Sequence, residues 1–397
     1  MNGPQSLKKR SWLNLVCGSA LALMVATNAI QAQPGTTNPA NTGTPVAPLG
    51  DNGPMAALFP PGTVVSDPNV KQANCPGCGQ GGGDATGGIG AGNPCVPGRK
   101  PCSICNDDTP WGKCICGIYD GICCPDPCYE SRWIAEANAA FFQDSPRPVT
   151  QTRIRWDAGF GLGFPDTSEF FWAQEKVKGP GAAESALRYN SLSLYQEIAA
   201  KNFSMFVEVP YLNVDPNINP SAAGLGDMNV GLKTVLLDRE LLLVSFQFRT
   251  FIPTGNFSAG LGTGHVSLEP SVLAALKITS KTYLQMQLAE WIPVGGTPGF
   301  ASGVFHYHAS LNQSLYKKDD CFNIIATAEV NGFSYRGQFT DLAGNPEGIG
   351  GSSYVNVGPG VRVVFCNRCD LGLGMGFGIG NDHGPEQIYR TEFRVRF

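Results

Sequence analysis

From residue 149 to the end, the chain repeats one device: about ten residues in which apolar and polar side chains alternate, then a turn. Alternation with period two is the mark of a β-strand, whose side chains point by turns to opposite faces. The last segment, Ile388–Phe397, puts Tyr389, Thr391, Phe393, Val395 and Phe397 on one face and Arg390, Glu392, Arg394 and Arg396 on the other. Thr152–Leu162 sets Ile154, Trp156, Ala158, Phe160 and Leu162 against Arg153, Arg155 and Asp157. The same rule predicts strands at Leu187–Ile198, Phe203–Tyr211, Asp227–Leu237, Leu242–Ile252, Val266–Lys277, Tyr283–Ile292, Val304–Tyr316, Phe322–Gly332, Tyr354–Phe365 and Leu371–Ile379. With the first and last, these make twelve. One position resists: Glu290 falls among Leu284, Met286, Leu288 and Ile292, where a bulge or a rim location is expected.

The connections sort into two kinds. Every second one is tight and polar, as at Ala199–Asn202, Asp238–Glu240, Thr279–Lys281, Lys317–Asp320 and Cys366–Cys369. The others are mostly longer and rich in Gly, Pro and Asn, as at Phe164–Ser185, Asp215–Gly224, Asn256–Gly264 and Gln338–Gly350. Short turns on one rim and long loops on the other are the layout of an outer-membrane barrel, with the short turns periplasmic. Hydrocarbon requires every backbone group to be paired internally, so a spanning sheet must close. A charge turned to lipid costs about 2–4 kcal/mol at mid-bilayer, which keeps the charges on one face. The fold class expected is all-β: a twelve-stranded antiparallel transmembrane β-barrel in outer-membrane lipid. A terminal strand closing on Phe397 resembles the signal that such barrels present to their assembly machinery.

Composition narrows this further. Only 15% of residues are charged, while Gly numbers 50 and Pro 30. A formal charge of -4 shows no basic bias, so nucleic acid is not an expected partner. Beyond the N-terminus, no run reaches the roughly 18 apolar residues that a spanning helix needs. The N-terminus itself reads as a signal peptide over residues 1–32: Lys8, Lys9 and Arg10, then the apolar Leu13–Ala26, then Ala32 as a small cleavage-site residue. Residues 33–74, rich in Pro, Gly, Thr and Asn, read as a disordered linker. Residues 75–148 form a Cys-rich segment and a short helix over Glu130–Phe142, stopped by Pro146 and Pro148, ahead of the barrel at 149–397.

Ten of the fourteen cysteines lie between Cys75 and Cys128. In an exported chain the first reading is a disulfide framework. The pairs Cys75–Cys78 and Cys102–Cys105, with Cys114–Cys116, also have spacings that suit zinc or a cluster. In the barrel, Cys366 and Cys369 flank a hairpin turn, at a separation that a disulfide can span. Cys321 lies on the same rim, either tied to one cysteine of the arm, whose last is Cys128, or left free.

The water-side face collects Arg153, Arg155, Asp157, Glu208, Asp227, Lys233, Arg249, Glu269, Lys277, His306, His308, Glu329, Arg362, Arg390, Glu392 and Arg394. Mixed signs suit salt-bridge networks filling a narrow lumen, or a pore without strong charge preference. The row Gly372, Gly374, Gly376 and Gly378 leaves room for an inserted segment such as Glu130–Phe142, or reflects close packing alone. His306, His308, Ser310, Asn312 and Ser314 share one face, which admits a hydrolase reading, or a metal pair with His265. Side chains that merely face the same way do not give the hydrogen-bond geometry that catalysis needs. No enzyme activity, cofactor or metal is therefore expected.

Two stretches carry a resemblance: GLGDMNVGLKTVLL at Gly224–Leu237 and FQFRTFIPTGNFSAGLGTG at Phe246–Gly264. They are similar to the meta-pathway phenol-degradation family, whose barrels are related in outline to long-chain fatty-acid transporters. The resemblance spans roughly Val149 to Phe397 and implies uptake of aromatic or other apolar compounds, with no residue-level site to carry over. Three readings follow. The first is an outer-membrane channel or transporter for small, hydrophobic or aromatic molecules. The second is a structural barrel whose Cys-rich periplasmic arm binds cell wall or a partner protein. The most remote is an outer-membrane hydrolase.

Overall fold

The computed structural model describes residues 135–397 except 319–320, 337–338, 341–345, 348–352 and 381–382. The expected signal peptide, the expected linker and the cysteines from 75 to 128 lie outside the described residues. The strands are β1 Gln151–Gly163, β2 Ala186–Ala200, β3 Phe203–Pro216, β4 Ala222–Leu225, β5 Met228–Asp238, β6 Leu242–Ile252, β7 Val266–Lys277 and β8 Thr282–Val294. After them come β9 Val304–Lys318, β10 Phe322–Tyr335, β11 Phe339–Thr340, β12 Pro346–Glu347, β13 Ser353–Phe365, β14 Cys369–Gly380 and β15 Gln387–Arg396. β4 and β5 both pair with β3 and are one barrel strand interrupted at Gly226–Asp227. β11 and β12 form a separate ribbon between β10 and β13.

The remaining pairings are all antiparallel and close the sheet, because β1 bonds both β15 and β2, and β2 bonds β3. The chain is thus a closed, all-β, twelve-stranded barrel. Its exterior carries the apolar residues: Trp156, Leu194, Met205, Leu232, Leu288, Leu311, Leu373 and Phe377 are among those exposed. Its interior carries the charged and amide side chains, with Arg362, Lys233, Gln247 and Gln285 fully buried. A soluble core has the opposite arrangement. A wall with hydrocarbon outside and polar groups inside is that of a transmembrane barrel.

Three details differ from the sequence reading, and a fourth, Glu290, settles on one of its two alternatives. Leu162 turns inward and packs on Trp172 and Leu187, because β1 shifts register between Gly159 and Leu162, where Gly161 takes φ 64. One extra residue moves all that follows to the other face. Of the bulge and the rim location expected for Glu290, the structure gives the second: its register is unbroken, and it faces outward near the long-loop rim, pairing with Arg336 at 3.3 Å.

The lead-in is not a helix over its described part, where a single 3-10 turn at Glu136–Asn138 is all that forms. Its backbone groups bond the barrel wall instead of one another, as detailed below.

Lastly, Cys366 is bonded to Cys321, not to Cys369, and Cys321 is therefore tied to neither an arm cysteine nor a free-thiol role. The pairing Phe322↔Phe365 runs on to set Cys321 beside Cys366, whose amide donates to the Cys321 carbonyl at 2.8 Å. Cys366 (φ 46) and Asn367 (φ 55) form the turn itself, while Cys369 has already entered β14 opposite Phe365 and Val395.

Candidate functional site

Two segments of the chain fill the barrel from opposite ends. From the tight-turn rim, residues 135–150 run inside the wall. Arginines take their carbonyls: Arg394 donates to Asn138 (2.8 Å), Arg362 to Ala139 (3.1 Å) and Arg390 to Phe141 (2.6 Å). The amides of Phe141 and Phe142 donate to the Glu329 carboxylate at 2.6 and 3.0 Å. Ser245 donates to the Pro146 carbonyl, and Arg147 reaches Asp238 at the rim, 2.9 Å away. The Phe141 ring lies where a Cβ on Gly360, Gly372 or Gly374 would stand, within 2.3–2.7 Å of the built position. Gly372 and Gly374 of the glycine row, with Gly360 on the neighbouring strand, are thus the seat of this ring, and Arg362 stacks over it at 4.5 Å.

Asp144 is the electrostatic anchor of the segment. Arg249 contacts its carboxylate at 2.5 Å and Arg153 at 3.8 Å, Gln247 donates to it at 2.9 Å, and Gln287 accepts from its amide at 2.8 Å. Burial alone would raise the Asp144 carboxyl, but the charges of Arg249, Arg153 and Lys233 and the hydrogen bond from Gln247 together hold the group well below the usual carboxylate range.

From the long-loop rim, residues 164–185 fold inward. Glu169 is fully buried and accepts from the amides of Gln174 (3.2 Å) and Thr297 (2.9 Å), with Lys178 at 3.1 Å and His265 at 3.4 Å. Burial pushes this carboxyl up, but the hydrogen bonds from Thr297 and Gln174 and the charge of Lys178 together leave it lowered. Burial also lowers His265 from its ordinary value. Ser168 (φ 57) and Glu169 (φ 54) are consecutive left-handed residues without being glycine, a strained conformation that the surroundings must enforce. Beyond them Trp172 packs over Gly260, and Phe170 reaches the rings of Trp291, His306 and Phe333 at 5.2–6.0 Å.

Between the two segments lies a cavity of ≈ 390 Å³. Phe142, Gln143 and Asp144 form one end and Phe170, Phe171 and Leu261–Thr263 the other, with Asn229, Phe251, Trp291, His306 and Phe333 among the walls. A second cavity of ≈ 220 Å³ adjoins it past Phe142, Phe170, Phe171 and Phe333, lined by Tyr189, Tyr335, Tyr354 and His383.

Most of the charged wall is ion-paired. Arg153 and Arg155 both approach Glu208 (3.5 Å each) and Glu392 (3.7 and 3.4 Å). Asp157 binds Arg390 at 2.7 Å, Glu269 binds Arg249 at 3.3 Å, and Lys233 binds Glu197 at 3.2 Å. Arg362 and Arg394 converge on Asp370 (2.5 and 2.9 Å) and Glu392 (3.0 and 3.3 Å). Asp227 stands apart in the β4–β5 break, accepting from Gly255 and Thr263 and so holding the β6–β7 loop. Asp144, Glu169, Glu197 and Asp370 are missing from the sequence reading. The signal for two of them was present: Asp370 is two residues before Gly372, and Glu197 two after Tyr195, each on the inward face.

The His–Ser strand forms no catalytic pair. His308 Nδ1 meets Asn331 at 2.9 Å, Asn312 accepts from Thr327, and Ser314 binds Asn323 at 2.7 Å. Ser310 Oγ is buried without a hydrogen bond. The His306 and His308 rings stand 6.0 Å apart, and His265 lies elsewhere, against Trp291. Among the described residues, no group of three or more His, Cys, Asp and Glu is placed to hold a metal.

No curated protein matches the chain. Among solved structures, it is similar to an outer membrane channel from Pseudomonas putida F1, at 13% identity, covering 66% of this chain and 98% of that one with a TM-score of 0.46. It is also similar to the KdgM porin (9%, 62% and 99%, TM-score 0.35) and to LpxR from Salmonella typhimurium (9%, 62% and 100%, TM-score 0.35). At these scores the likenesses carry nothing about function. The sequence itself is more telling: residues 132–389, most of the barrel and the last part of the inserted lead-in, match the family model described as "Putative MetA-pathway of phenol degradation", and the chain belongs to that family.

Proposed function

We propose that the protein is an outer-membrane transporter for small apolar or aromatic molecules, operating as a gated barrel rather than an open pore. The observation that carries this reading is the aromatic-walled cavity enclosed between residues 135–150 and the loop 164–185. A solute-sized space lying between two segments that are not themselves barrel strands suits entry at one rim and release at the other. In this reading the tight-turn rim and the Cys-rich arm face the periplasm, and the strand ending in Phe397 serves the barrel-assembly machinery. The dense bonding of residues 135–150 to the wall also supports the second reading, a permanently closed structural barrel whose arm binds cell wall or a partner. Uptake into proteoliposomes separates them. The transporter admits a small neutral aromatic solute several-fold faster than empty vesicles do, while equal rates would favour the structural barrel.

A further inference from the structure

We propose that the outer wall of the barrel carries a site for a phospholipid with a net negative headgroup. Its acyl chain lies in a groove across β2, β3, β5 and β6, and Lys201 takes its phosphate. The site depends on the barrel standing in a bilayer and not on whether solutes pass through it.

The groove holds ≈ 720 Å³, within the roughly 300–1,000 Å³ usual for ligand sites. Ile198, Met205, Leu232 and Phe248 line it as one rung of neighbours across the sheet, and the shorter Val207 and Val230 stand in the next rung. These residues belong to the outward face, with Ile198 67% and Met205 59% exposed. Among the lining side chains only Gln196 and Thr250 are polar, and Gln196 already accepts from Thr152 at 2.6 Å. Hydrocarbon is the fitting occupant, and the medium against this wall supplies it.

At the tight-turn rim the groove is lined by Ala199, Ala200 and Phe203, and the turn Lys201–Asn202 joins β2 to β3 there. Lys201 is exposed and forms no ion pair among the described residues. It takes φ 53 at the first turn position, where a left-handed backbone favours Gly, Asn or Asp. The backbone gains nothing from a lysine here, which leaves the ammonium as the part that serves. Around the rim, every exposed charged residue in the described tight turns is a cation: Lys201, Lys281, Lys317, Lys318 and Arg368. Of these, Lys201 alone lies on a turn between strands of the groove. Cations at this level attract the phosphates of an anionic leaflet. A second copy of the chain suits the groove less well, because two barrels joined through this wall would bring their cationic rims together.

The test is native mass spectrometry of the full-length protein in detergent, titrated with dioleoyl phosphatidylglycerol, dioleoyl phosphatidylethanolamine and glycerol phosphate, which has the phosphate without the chains. Phosphatidylglycerol is expected to bind saturably, phosphatidylethanolamine at least fivefold more weakly, and glycerol phosphate not at all. Lys201→Gln lowers the phosphatidylglycerol affinity about fivefold, the scale of one lysine against an anionic surface. Lys281→Gln, on a turn away from the groove, leaves it within about twofold. Val230→Trp, which fills the groove and keeps the charge, weakens both lipids. Lys201→Arg recovers most of the affinity and so separates loss of the charge from loss of the fold. Equal binding of the two lipids, glycerol phosphate binding as tightly as phosphatidylglycerol, an affinity unmoved in Lys201→Gln, or a dimer in place of the lipid-bound protein would overturn the assignment. A protein that binds the lipid but admits no solute leaves this site standing and removes the transport reading.

Discussion

At the scale of single residues, the glycines of β14 and the Phe141 ring define each other. A Cβ on Gly374 would lie 2.7 Å from the nearest Phe141 ring atom, closer than real contacts allow. Gly374→Ala is therefore expected to destabilise the barrel by about 1–3 kcal/mol through overpacking. In a Phe141→Ala background most of that cost disappears, because the ring it strikes is gone. Urea unfolding of both single variants and the double variant in lipid vesicles checks the coupling, and additive effects would contradict it. The period-two pattern made the glycine row legible in the sequence and admitted Glu130–Phe142 as its occupant beside close packing alone, but only the folded chain brings the ring of residue 141 beside residue 374. The bulge at Gly161 was similarly out of reach: a one-residue slip leaves no mark on composition, yet it reverses Leu162. Disulfide pairing followed the same limit, because which cysteine faces Cys366 depends on the register between β10 and β13.

At the scale of elements, the strands were readable because lipid on one side and polar groups on the other force strict alternation, and short turns punctuate it. The two inserted segments have no such period, so the inward fold of residues 164–185 was not, and that of the lead-in stood only as one of two readings. The loop 164–185 is held chiefly through Glu169, and this gives it a pH dependence with a definite sign. The Glu169 carboxyl is lowered from 4.5 in the folded protein, so its contribution is present above about pH 4.5 and lost as pH falls through the lower folded value. His265 is lowered from 6.5, so the closed loop holds it neutral, and acidification below that value favours the opened loop, where it can take up a proton. Both effects loosen the loop in acid. Amide exchange across residues 164–185, corrected for intrinsic rates, is expected to accelerate between pH 7 and pH 4. Glu169→Gln should already exchange at least tenfold faster at pH 7, since breaking a buried ion pair costs about 3–5 kcal/mol. A loop equally protected at both pH values, and in the variant, would contradict the latch.

At the scale of the whole molecule, closure of the sheet and filling of its interior are distinct facts with distinct causes. Closure satisfies the backbone in hydrocarbon and needs no contribution from the lumen. The lumen is filled because the wall arginines and carboxylates need partners, and residues 135–150 supply carbonyls, amides and the Asp144 carboxylate. The central claim is that this segment closes a passage that can open. Single-channel recording in planar bilayers tests it most directly, comparing the native protein with Asp144→Asn, which removes the charge that Arg249 and Arg153 hold. The native protein should remain mostly closed, and the variant should show discrete conductance steps with an open fraction at least tenfold higher. Steady conductance of equal size in both proteins, or none in either, would contradict the account.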